Sequence, residues 1–301
     1  GGGGGGAGRP RIGLAPVSPG AFEGVGGPLV RTLSLHKDWV RALAVNDDSS
    51  LLVSGSHDNT VKVWDLANDC RLAWDFAEHT EHVLAVDILQ RGLALSCDQD
   101  VLLVWGLELG NLAHKTDPFE APLTSARFLC EAHIAVASKQ KILFLSHRGA
   151  RCGEVEQKSN VCSLAVCKTQ APDSRWLACG LEDAGVALLR VKVKKSGASG
   201  RCDAQLVQVL QAGEQDVRAL HFTPKGEALA GGCDDTTLHI WTAAGGGKKD
   251  PAPTQRAAPV VGLHSDWVNA VSLSPDGTLL ASGGLDNLVR LYDVISKRAV
   301  G

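Results

Sequence analysis

The sequence predicts an all-β fold built from repeats, and three features of the chain support this prediction. Short runs such as VRALAV and TVKVW alternate apolar and polar residues with a period of two, as half-buried β-strands do. Clusters of Pro, Gly, Asn and Asp separate these runs and favour tight turns. The runs also recur in a fixed order along the 301 residues, which is typical of a repeat architecture.

Two segments of the chain are close copies of each other. Leu35–Leu66 reads LHKDWVRALAVNDDSSLLVSGSHDNTVKVWDL, and Leu263–Val294 reads LHSDWVNAVSLSPDGTLLASGGLDNLVRLYDV. Weaker copies cover residues 79–107, 122–146, 161–193 and 217–242. A repeat of roughly 40 to 50 residues is the period of the four-stranded blades of a β-propeller. The sequence therefore predicts a propeller with six recognisable repeats.

The repeat resembles the WD40 family. The resemblance rests on the His36 entry, the Ser-Gly-Ser-x-Asp turn that ends at Asp58, and the closing Trp64-Asp65 pair. It covers roughly residues 29–301 and is strongest in the first and last copies. It implies a WD40 β-propeller of four-stranded blades. A seventh blade beyond Gly301, a six-bladed ring and an incompletely closed propeller remain alternatives.

The domain organisation follows from composition. Residues 1–28 are rich in Gly and Pro with few apolar residues, so they are predicted to be disordered and to precede a propeller domain over 29–301. The resemblance implies that Leu29–Leu35 completes the last blade. Flexible insertions are expected near 192–203 and 243–259, where the chain is basic and contains Gly or Pro. Fourth strands are expected around 70–77, 111–116, 150–157, 204–211 and 257–262.

The resemblance also assigns a hydrogen-bonded set of four side chains to each well-matched blade, because buried polar groups need partners. We call this set a tetrad. The tetrads would be His36, Ser54, Asp58 and Trp64 in the first copy, and His264, Ser282, Asp286 and Tyr292 in the last. Tyr292 could donate a hydrogen bond through its hydroxyl. The fifth copy has Gly213 in place of His and Gly231 in place of Ser, so its network should be broken.

Neither an enzyme nor a cofactor or metal site is predicted. A Ser, a His and an Asp in one repeat suggest a hydrolase triad, but their recurrence in several copies argues against it, since catalysis needs one site. Gly245–Gly247 precedes Lys248 without the pattern of a phosphate-binding loop. His79 and His82 have a His-x-x-His spacing, but no Cys or carboxylate cluster completes a zinc shell.

Compartment and partners are constrained by the cysteines and by the apolar runs. The nine Cys contain no C-x-x-C pair, which favours a reducing compartment, cytoplasmic or nuclear. No apolar run approaches the length of a membrane span. Neither a membrane nor a small-molecule substrate is therefore expected as a partner.

Candidate partner-binding residues come from the resemblance, which implies that three side chains per blade face the central opening. These are the two residues that flank the inner-strand Val and the residue before the turn Asp. They are Trp39, Arg41 and His57 in the first copy, Asp216, Arg218 and Asp234 in the fifth, and Trp267, Asn269 and Leu285 in the last. His82 and Leu84 in the second copy and Asn160, Cys162 and Glu182 in the fourth follow less directly.

Trp39 and Trp267 carry the sharpest hypothesis about binding. Trp and Arg dominate interface hot spots, so the two Trp together with Arg41 could form an aromatic and basic clamp for a peptide. The alternative is that each Trp packs under its own loop as part of the blade.

The predicted function is a non-catalytic scaffold or adaptor that binds partner proteins or peptides on the propeller rim. An RNA-associated assembly factor in a ribonucleoprotein complex is an alternative, but the net charge is -3 and Lys and Arg cluster only in the two insertions. Binding of RNA is therefore unsupported. A substrate receptor of a ubiquitin ligase is another alternative, although Trp64–Ala67 and Tyr292–Ile295 lack the Arg of the Trp-Asp-x-Arg motif.

Overall fold

A computed structural model of the chain describes residues 31–89, 92–167, 174–194, 200–243, 253–256 and 263–300. Within these ranges the regular secondary structure is entirely β, in six four-stranded antiparallel sheets arranged as a six-bladed propeller. The predicted all-β propeller with six four-stranded repeats is confirmed. None of the described residues belongs to a helix long and apolar enough to cross a membrane.

In every blade the strands follow chain order from the first, innermost strand to the fourth, outermost strand. Blade 1 contains β1 Val40–Val45, β2 Leu51–Ser56, β3 Val61–Asp65 and β4 Arg71–Phe76. Blade 2 contains β5 Ala85–Leu89, β6 Leu93–Cys97, β7 Leu102–Gly106 and β8 Asn111–Lys115. Blade 3 contains β9 Leu123–Cys130, β10 His133–Ser138, β11 Lys141–Ser146 and β12 Arg151–Glu156.

The second half of the chain repeats this arrangement. Blade 4 contains β13 Val161–Val166, β14 Ser174–Leu181, β15 Gly185–Lys194 and β16 Arg201–Gln211. Blade 5 contains β17 Val217–Phe222, β18 Ala228–Cys233, β19 Leu238–Ala243 and β20 Pro253–Arg256. Blade 6 contains β21 Val268–Leu273, β22 Leu279–Gly284, β23 Val289–Asp293 and β24 Arg298–Ala299.

The tight turns between second and third strands follow from their Asp residues. In blade 1 the Asp58 carboxylate accepts a hydrogen bond from the Thr60 backbone N–H at 3.0 Å. The intervening Asn59 has a φ of 64°, a left-handed conformation that Asn tolerates better than most residues. Blade 6 repeats the turn with Asn287 at a φ of 62°.

Two fourth strands differ from the sequence prediction. β16 begins at Arg201 and pairs with β15 as far as Lys194, so paired strand extends into both ends of the insertion expected near 192–203. β20, the described fourth strand of blade 5, lies inside the insertion expected at 243–259 and before the stretch around 257–262 where a fourth strand was predicted. The sequence of β20, PTQR, has no apolar alternation that could reveal a strand. Residues 1–28, 195–199, 244–252 and 257–262 lie outside the described residues.

The last blade is not completed by the N-terminal strand that the sequence predicted. Residues 31–36 form no strand, and Leu29 and Val30 lie outside the described residues. β24, from the C-terminal side, pairs instead with β23. Arg31 bonds Asp69, in the turn between β3 and β4, which holds this part of the chain at blade 1.

The core consists of five apolar clusters, each between two successive blades. Close approach of the blades requires glycine at equivalent positions of the second strands. A Cβ on Gly55 would lie 2.5 Å from Val83 Cγ1, and one on Gly232 would lie 2.7 Å from Val268 Cγ1. Only glycine allows this spacing without displacing the next blade. Among the described residues, no apolar cluster joins blade 6 to blade 1.

Candidate functional site

A β-bulge recurs on the inner strand of five blades, directly after the first residue of the strand. The pairing of the first and second strands shifts by one residue at Arg41, Thr124, Cys162, Arg218 and Asn269. A bulge leaves one residue outside the strand ladder and re-aims its side chain. This gives a structural reason why these five positions can present side chains to the central opening.

In blades 1, 4, 5 and 6 a backbone hydrogen bond brings two further rim residues together. The donor is the N–H of the residue that precedes the Asp in the turn between the second and third strands. The acceptor is the carbonyl of the residue that precedes the Val at the start of the inner strand. The bonds are His57 to Trp39 at 2.9 Å, Glu182 to Asn160 at 3.1 Å, Asp234 to Asp216 at 3.0 Å and Leu285 to Trp267 at 2.9 Å. The rim residues named from sequence are therefore neighbours within each blade.

Blades 1 and 2 present an aromatic and basic part of the rim. The Trp39 side chain is 76% exposed, and its ring centroid lies 5.7 Å from that of His57. The His57 ring in turn stacks on His82 at 4.4 Å. Partial burial, then the charges of His82 and Arg41, lower the pKa of His57. The exposed indole of Trp39 therefore lies beside the His57 imidazole, on which the positive charge of Arg41 acts.

Blades 5 and 6 hold a rigidly positioned arginine. Arg218 Nε lies 2.9 Å from both carboxylate oxygens of Asp234, and Nη2 lies 3.1 Å from Asp216 Oδ2. Its guanidinium carbon lies 5.2 Å from the ring centroid of the exposed Trp267. The sequence hypothesis grouped Trp39, Trp267 and Arg41 in one clamp. In the structure the guanidinium on Trp267 belongs to Arg218, and burial together with the charge of Arg218 lowers the pKa of Arg41.

Carboxylates dominate the rim between blades 4 and 5. Glu182 accepts a hydrogen bond from Asn160 Nδ2 at 2.8 Å. Burial raises the pKa of Asp216. The charge of Arg218 opposes this shift, and the charges of Asp234 and Glu182 add to it. Burial and Asp216 raise the pKa of the Cys162 thiol to about 12. The thiol therefore stays protonated at neutral pH and is a poor nucleophile.

Two groups of side chains have ligand atoms within 4.8 Å of one another, close enough to hold a metal ion. They are Cys233, Asp235 and His239, and Cys162, Glu182 and Asp216. The second group lies beside the Arg218 guanidinium, which opposes binding of a cation there. His79 and His82, which have zinc-like spacing in the sequence, belong to different networks: the tetrad of blade 2 and the carbonyl of His57.

Hydrogen-bonded tetrads stabilise blades 1 and 2. In blade 1 His36 lies 3.0 Å from Asp58 and 2.8 Å from Ser54, and Ser54 accepts a bond from the Trp64 indole at 2.9 Å. Blade 2 has the same network in a more buried form. Its members, at distances of 2.7 to 2.8 Å, are His79, Ser96, Asp98 and Trp105.

The sequence analysis did not assign Ser96 and Asp98 to a tetrad. The positions of His79 and Trp105, which match those of His36 and Trp64, could have indicated one. Ser96 and Asp98 are separated by one position, whereas Ser54 and Asp58 are separated by three. The shortened connection hides the match when the copies are compared by spacing alone.

The last two blades have different networks. In blade 6 His264 lies 3.0 Å from Asp286 and 2.8 Å from Ser282, and no described hydrogen bond joins Ser282 to the buried Tyr292. In blade 5, where Gly213 replaces the His, a Cβ would lie 1.7 Å from Asp235 Oδ2. Asp235 there bonds the Thr237 hydroxyl, which lies 2.8 Å from the buried His239.

The tetrads predict that the protein loses stability in acid. Partial burial opposes ionisation of Asp58, but hydrogen bonds from Thr60, Lys37 N–H and His36 outweigh it and lower its pKa well below the usual range. The pKa of Asp98 is also lowered. A carboxyl group with a lowered pKa in the folded protein stabilises the fold at pH values above its pKa in the unfolded chain, which is about 4. This contribution is lost as the pH falls towards the pKa of the group in the folded protein.

We therefore expect the free energy of unfolding to decline as pH drops below about 4. Urea denaturation followed by Trp fluorescence at several pH values would measure it. Asp58→Asn should give a shallower decline than the unaltered chain. A pH dependence that is the same in both would show that Asp58 is not one of the titrating groups.

The fold and its tetrads define a repeat protein of the WD-repeat β-propeller class. Residues 27–65, 204–242 and 260–293 match the family of the WD domain, G-beta repeat. Each segment contains the first three strands of one blade, of blades 1, 5 and 6 respectively, and the second also includes most of β16 of blade 4. Together with the six-bladed architecture, they support a WD40 β-propeller.

Several relatives are also WD-repeat or assembly proteins. WD repeat-containing protein SL1-17 of Schistosoma mansoni is 24% identical over 258 residues, which is 85% of this chain and 65% of the relative. Eukaryotic translation initiation factor 3 subunit I of Aspergillus oryzae is 22% identical over 282 residues, or 90% of this chain and 84% of the relative. Ribosome assembly protein 4 of Chaetomium thermophilum is 39% identical over 69 residues, which is 12% of its length. The chain thus spans less than two thirds of the Schistosoma relative.

Proposed function

We propose that this chain is a non-catalytic scaffold or adaptor that binds partner proteins or peptides on the propeller rim, in the cytoplasm or nucleus. The observation that carries the proposal is the fixed Arg218 beside exposed Trp267. Two carboxylates hold the guanidinium against the indole before any partner arrives. A pre-ordered Trp and Arg pair loses little conformational entropy on binding, which is a property of interface hot spots.

The charge distribution around the rim supports a peptide partner with both acidic and basic groups. The positive charge of Arg41 acts on His57 beside the exposed Trp39, whereas Glu182, Asp216 and Asp234 make the rim of blades 4 and 5 acidic. Complementary charges fix the orientation of a partner more than they add affinity. An acidic residue of the partner near Trp39 and a basic one near Glu182 would satisfy both sides.

The Ser, His and Asp sets support a structural role over a catalytic one. Ser96, His79 and Asp98 are all buried, and the Ser96 hydroxyl already accepts the Trp105 indole N–H. A serine nucleophile must reach a substrate carbonyl, and these hydroxyls lie inside the blades. The same set occurs in several blades, which fits a repeated scaffold element.

A ribonucleoprotein complex is the second candidate, because of the relatives' names. One relative is a subunit of a translation initiation factor and another a ribosome assembly protein. The acidic sector of the rim opposes direct contact with phosphates, so within such a complex the rim would bind protein.

The test is affinity capture of partners with a rim variant, Trp39→Ala combined with Trp267→Ala. Both side chains are exposed, so the variant should fold normally. The matched control is Leu109→Ala combined with Ile295→Ala, which removes two exposed apolar side chains in turns between third and fourth strands. For a captured and purified partner, we expect the Kd to rise at least about tenfold with the rim variant and to stay unchanged with the control.

Two results would contradict the proposal. Partners that bind the rim variant as tightly as the unaltered chain would move the binding surface to the outer strands or loops. Recovery mainly of RNA, with binding that weakens steeply as salt increases, would favour direct RNA association instead.

A further inference from the structure

Blade 5 holds a cluster of Cys, Asp and His side chains at the point where its tetrad is broken. In blades 1, 2 and 6 the Asp of the turn between the second and third strands bonds an imidazole that precedes the inner strand. Gly213 stands at this imidazole position in blade 5, and a Cβ on it would lie 1.7 Å from Asp235 Oδ2. The Asp235 carboxylate therefore occupies the space that a side chain at residue 213 would need.

A histidine from a different strand lies close to this carboxylate. His239 lies on β19, two residues before Trp241, at the position where blades 1 and 6 have Lys62 and Arg290. The imidazole is buried, and its ring centroid lies 5.7 Å from that of Trp241. Cys233, the last residue of β18, is also fully buried. Two strands of the blade and the turn between them thus supply one thiol, one carboxylate and one imidazole.

The three side chains already converge on a single small group. The ligand atoms of Cys233, Asp235 and His239 lie within 4.8 Å of one another. The Thr237 hydroxyl donates a hydrogen bond to Asp235 and lies 2.8 Å from His239 Nε2, and it also bonds the Cys233 thiol. In a tetrahedral zinc site, bond lengths of about 2.0 to 2.3 Å place the ligand atoms roughly 3.3 to 3.8 Å apart. Rotations of these side chains can supply the remaining contraction.

We propose that Cys233, Asp235 and His239 bind a zinc ion, which joins β18 to β19 in place of the missing tetrad. Thiolate, carboxylate and imidazole are the ligand types that zinc takes in proteins, and a water molecule completes the tetrahedron. Burial raises the pKa of the Cys233 thiol to about 12, so the thiol carries its proton at neutral pH in the metal-free chain. The incoming ion displaces this proton to solvent, and a zinc–sulfur bond takes the place of the S–H bond.

The Asp235 carboxylate is prepared for this role. Partial burial opposes its ionisation, but hydrogen bonds from Thr237 and from the Glu214 N–H outweigh it and lower the pKa of Asp235. The carboxylate is therefore charged at neutral pH, and its donors fix its direction, as the partners of metal ligands do. The second group of possible ligands differs, because there the Arg218 guanidinium lies 3.1 Å from Asp216 Oδ2 and opposes a cation.

The test is a Zn²⁺ titration of the full chain, first treated with a chelator, in competition with a chromophoric chelator. We expect saturable one-to-one binding. Cys233→Ser and His239→Gln should each raise the Kd for Zn²⁺ at least about tenfold. The matched control is Cys97→Ser, which should leave the Kd unchanged. Cys97 also ends the second strand of its blade and is fully buried, but the adjacent Asp98 is bonded to His79.

Substitutions in a buried cluster can also lower stability, so the second measurement starts from the unaltered chain, with Co²⁺ in place of Zn²⁺. A thiolate-to-cobalt charge-transfer band should appear with one equivalent of Co²⁺, and Cys97→Ser should retain it. If the unaltered chain does not bind Zn²⁺ saturably or shows no such band, the three side chains form only a hydrogen-bonded network and the proposal is wrong. Equal affinity of Cys233→Ser and Cys97→Ser for Zn²⁺ would place the ion on other residues and would overturn the proposal as well.

Discussion

Replacing His79 with alanine is expected to lower the free energy of unfolding by about 3 kcal/mol, because the substitution leaves a buried carboxylate without its partner. The imidazole bridges Asp98 at 2.7 Å and Ser96 at 2.7 Å. Neither the His79 nor the Asp98 side chain has any exposed surface. Water therefore cannot replace the lost hydrogen bonds without opening the blade.

Urea denaturation monitored by Trp fluorescence would measure this loss. The matched control is His82→Ala, three residues along the chain, where the imidazole is exposed on the rim. We expect its effect to stay within about 0.5 kcal/mol. An equally small effect for His79→Ala would mean that the tetrad of blade 2 contributes little to stability.

The sequence was sufficient to predict the blades, because strand alternation is a local property. VRALAV and TVKVW identified β1 and β3, and the Asp turns placed β2 between them. β20 was misplaced because a fourth strand lies at the edge of its blade, where few apolar positions are required. Ser96 and Asp98 were missed because their tetrad closes over a shorter connection than that of blade 1.

From the sequence, contacts on the rim could be predicted only between residues of the same blade. Pairs such as Trp39 with His57 follow from a backbone hydrogen bond that every well-matched repeat can make. The position of Arg218 on Trp267 depends on how two blades meet, which no single repeat encodes. The exposure of Val289 was equally inaccessible, since Val61 and Val289 occupy the same repeat position and differ only in whether a neighbouring blade covers them.

Gly55→Ala should destabilise the protein by roughly 1–3 kcal/mol, whereas Gly283→Ala at the equivalent position should be close to neutral. The new methyl group at residue 55 would lie 2.5 Å from Val83 Cγ1 and 2.8 Å from Val86 Cγ1. Both valines are buried and stiff at χ1, so the blades must separate to accept it. At residue 283 the nearest atom is 3.8 Å away, which is ordinary van der Waals contact.

The difference between the two variants, measured by the same urea denaturation, tests whether a neighbouring blade covers blade 6 as blade 2 covers blade 1. Neither glycine has a positive φ, so backbone strain does not separate them, and the gain from restricting the unfolded chain is common to both. What remains is the presence or absence of a neighbouring blade. A loss at Gly283 as large as that at Gly55 would mean that blade 6 is covered in solution by blade 1 of the same ring. A neutral Gly283→Ala beside a costly Gly55→Ala would leave blade 6 with an uncovered apolar face.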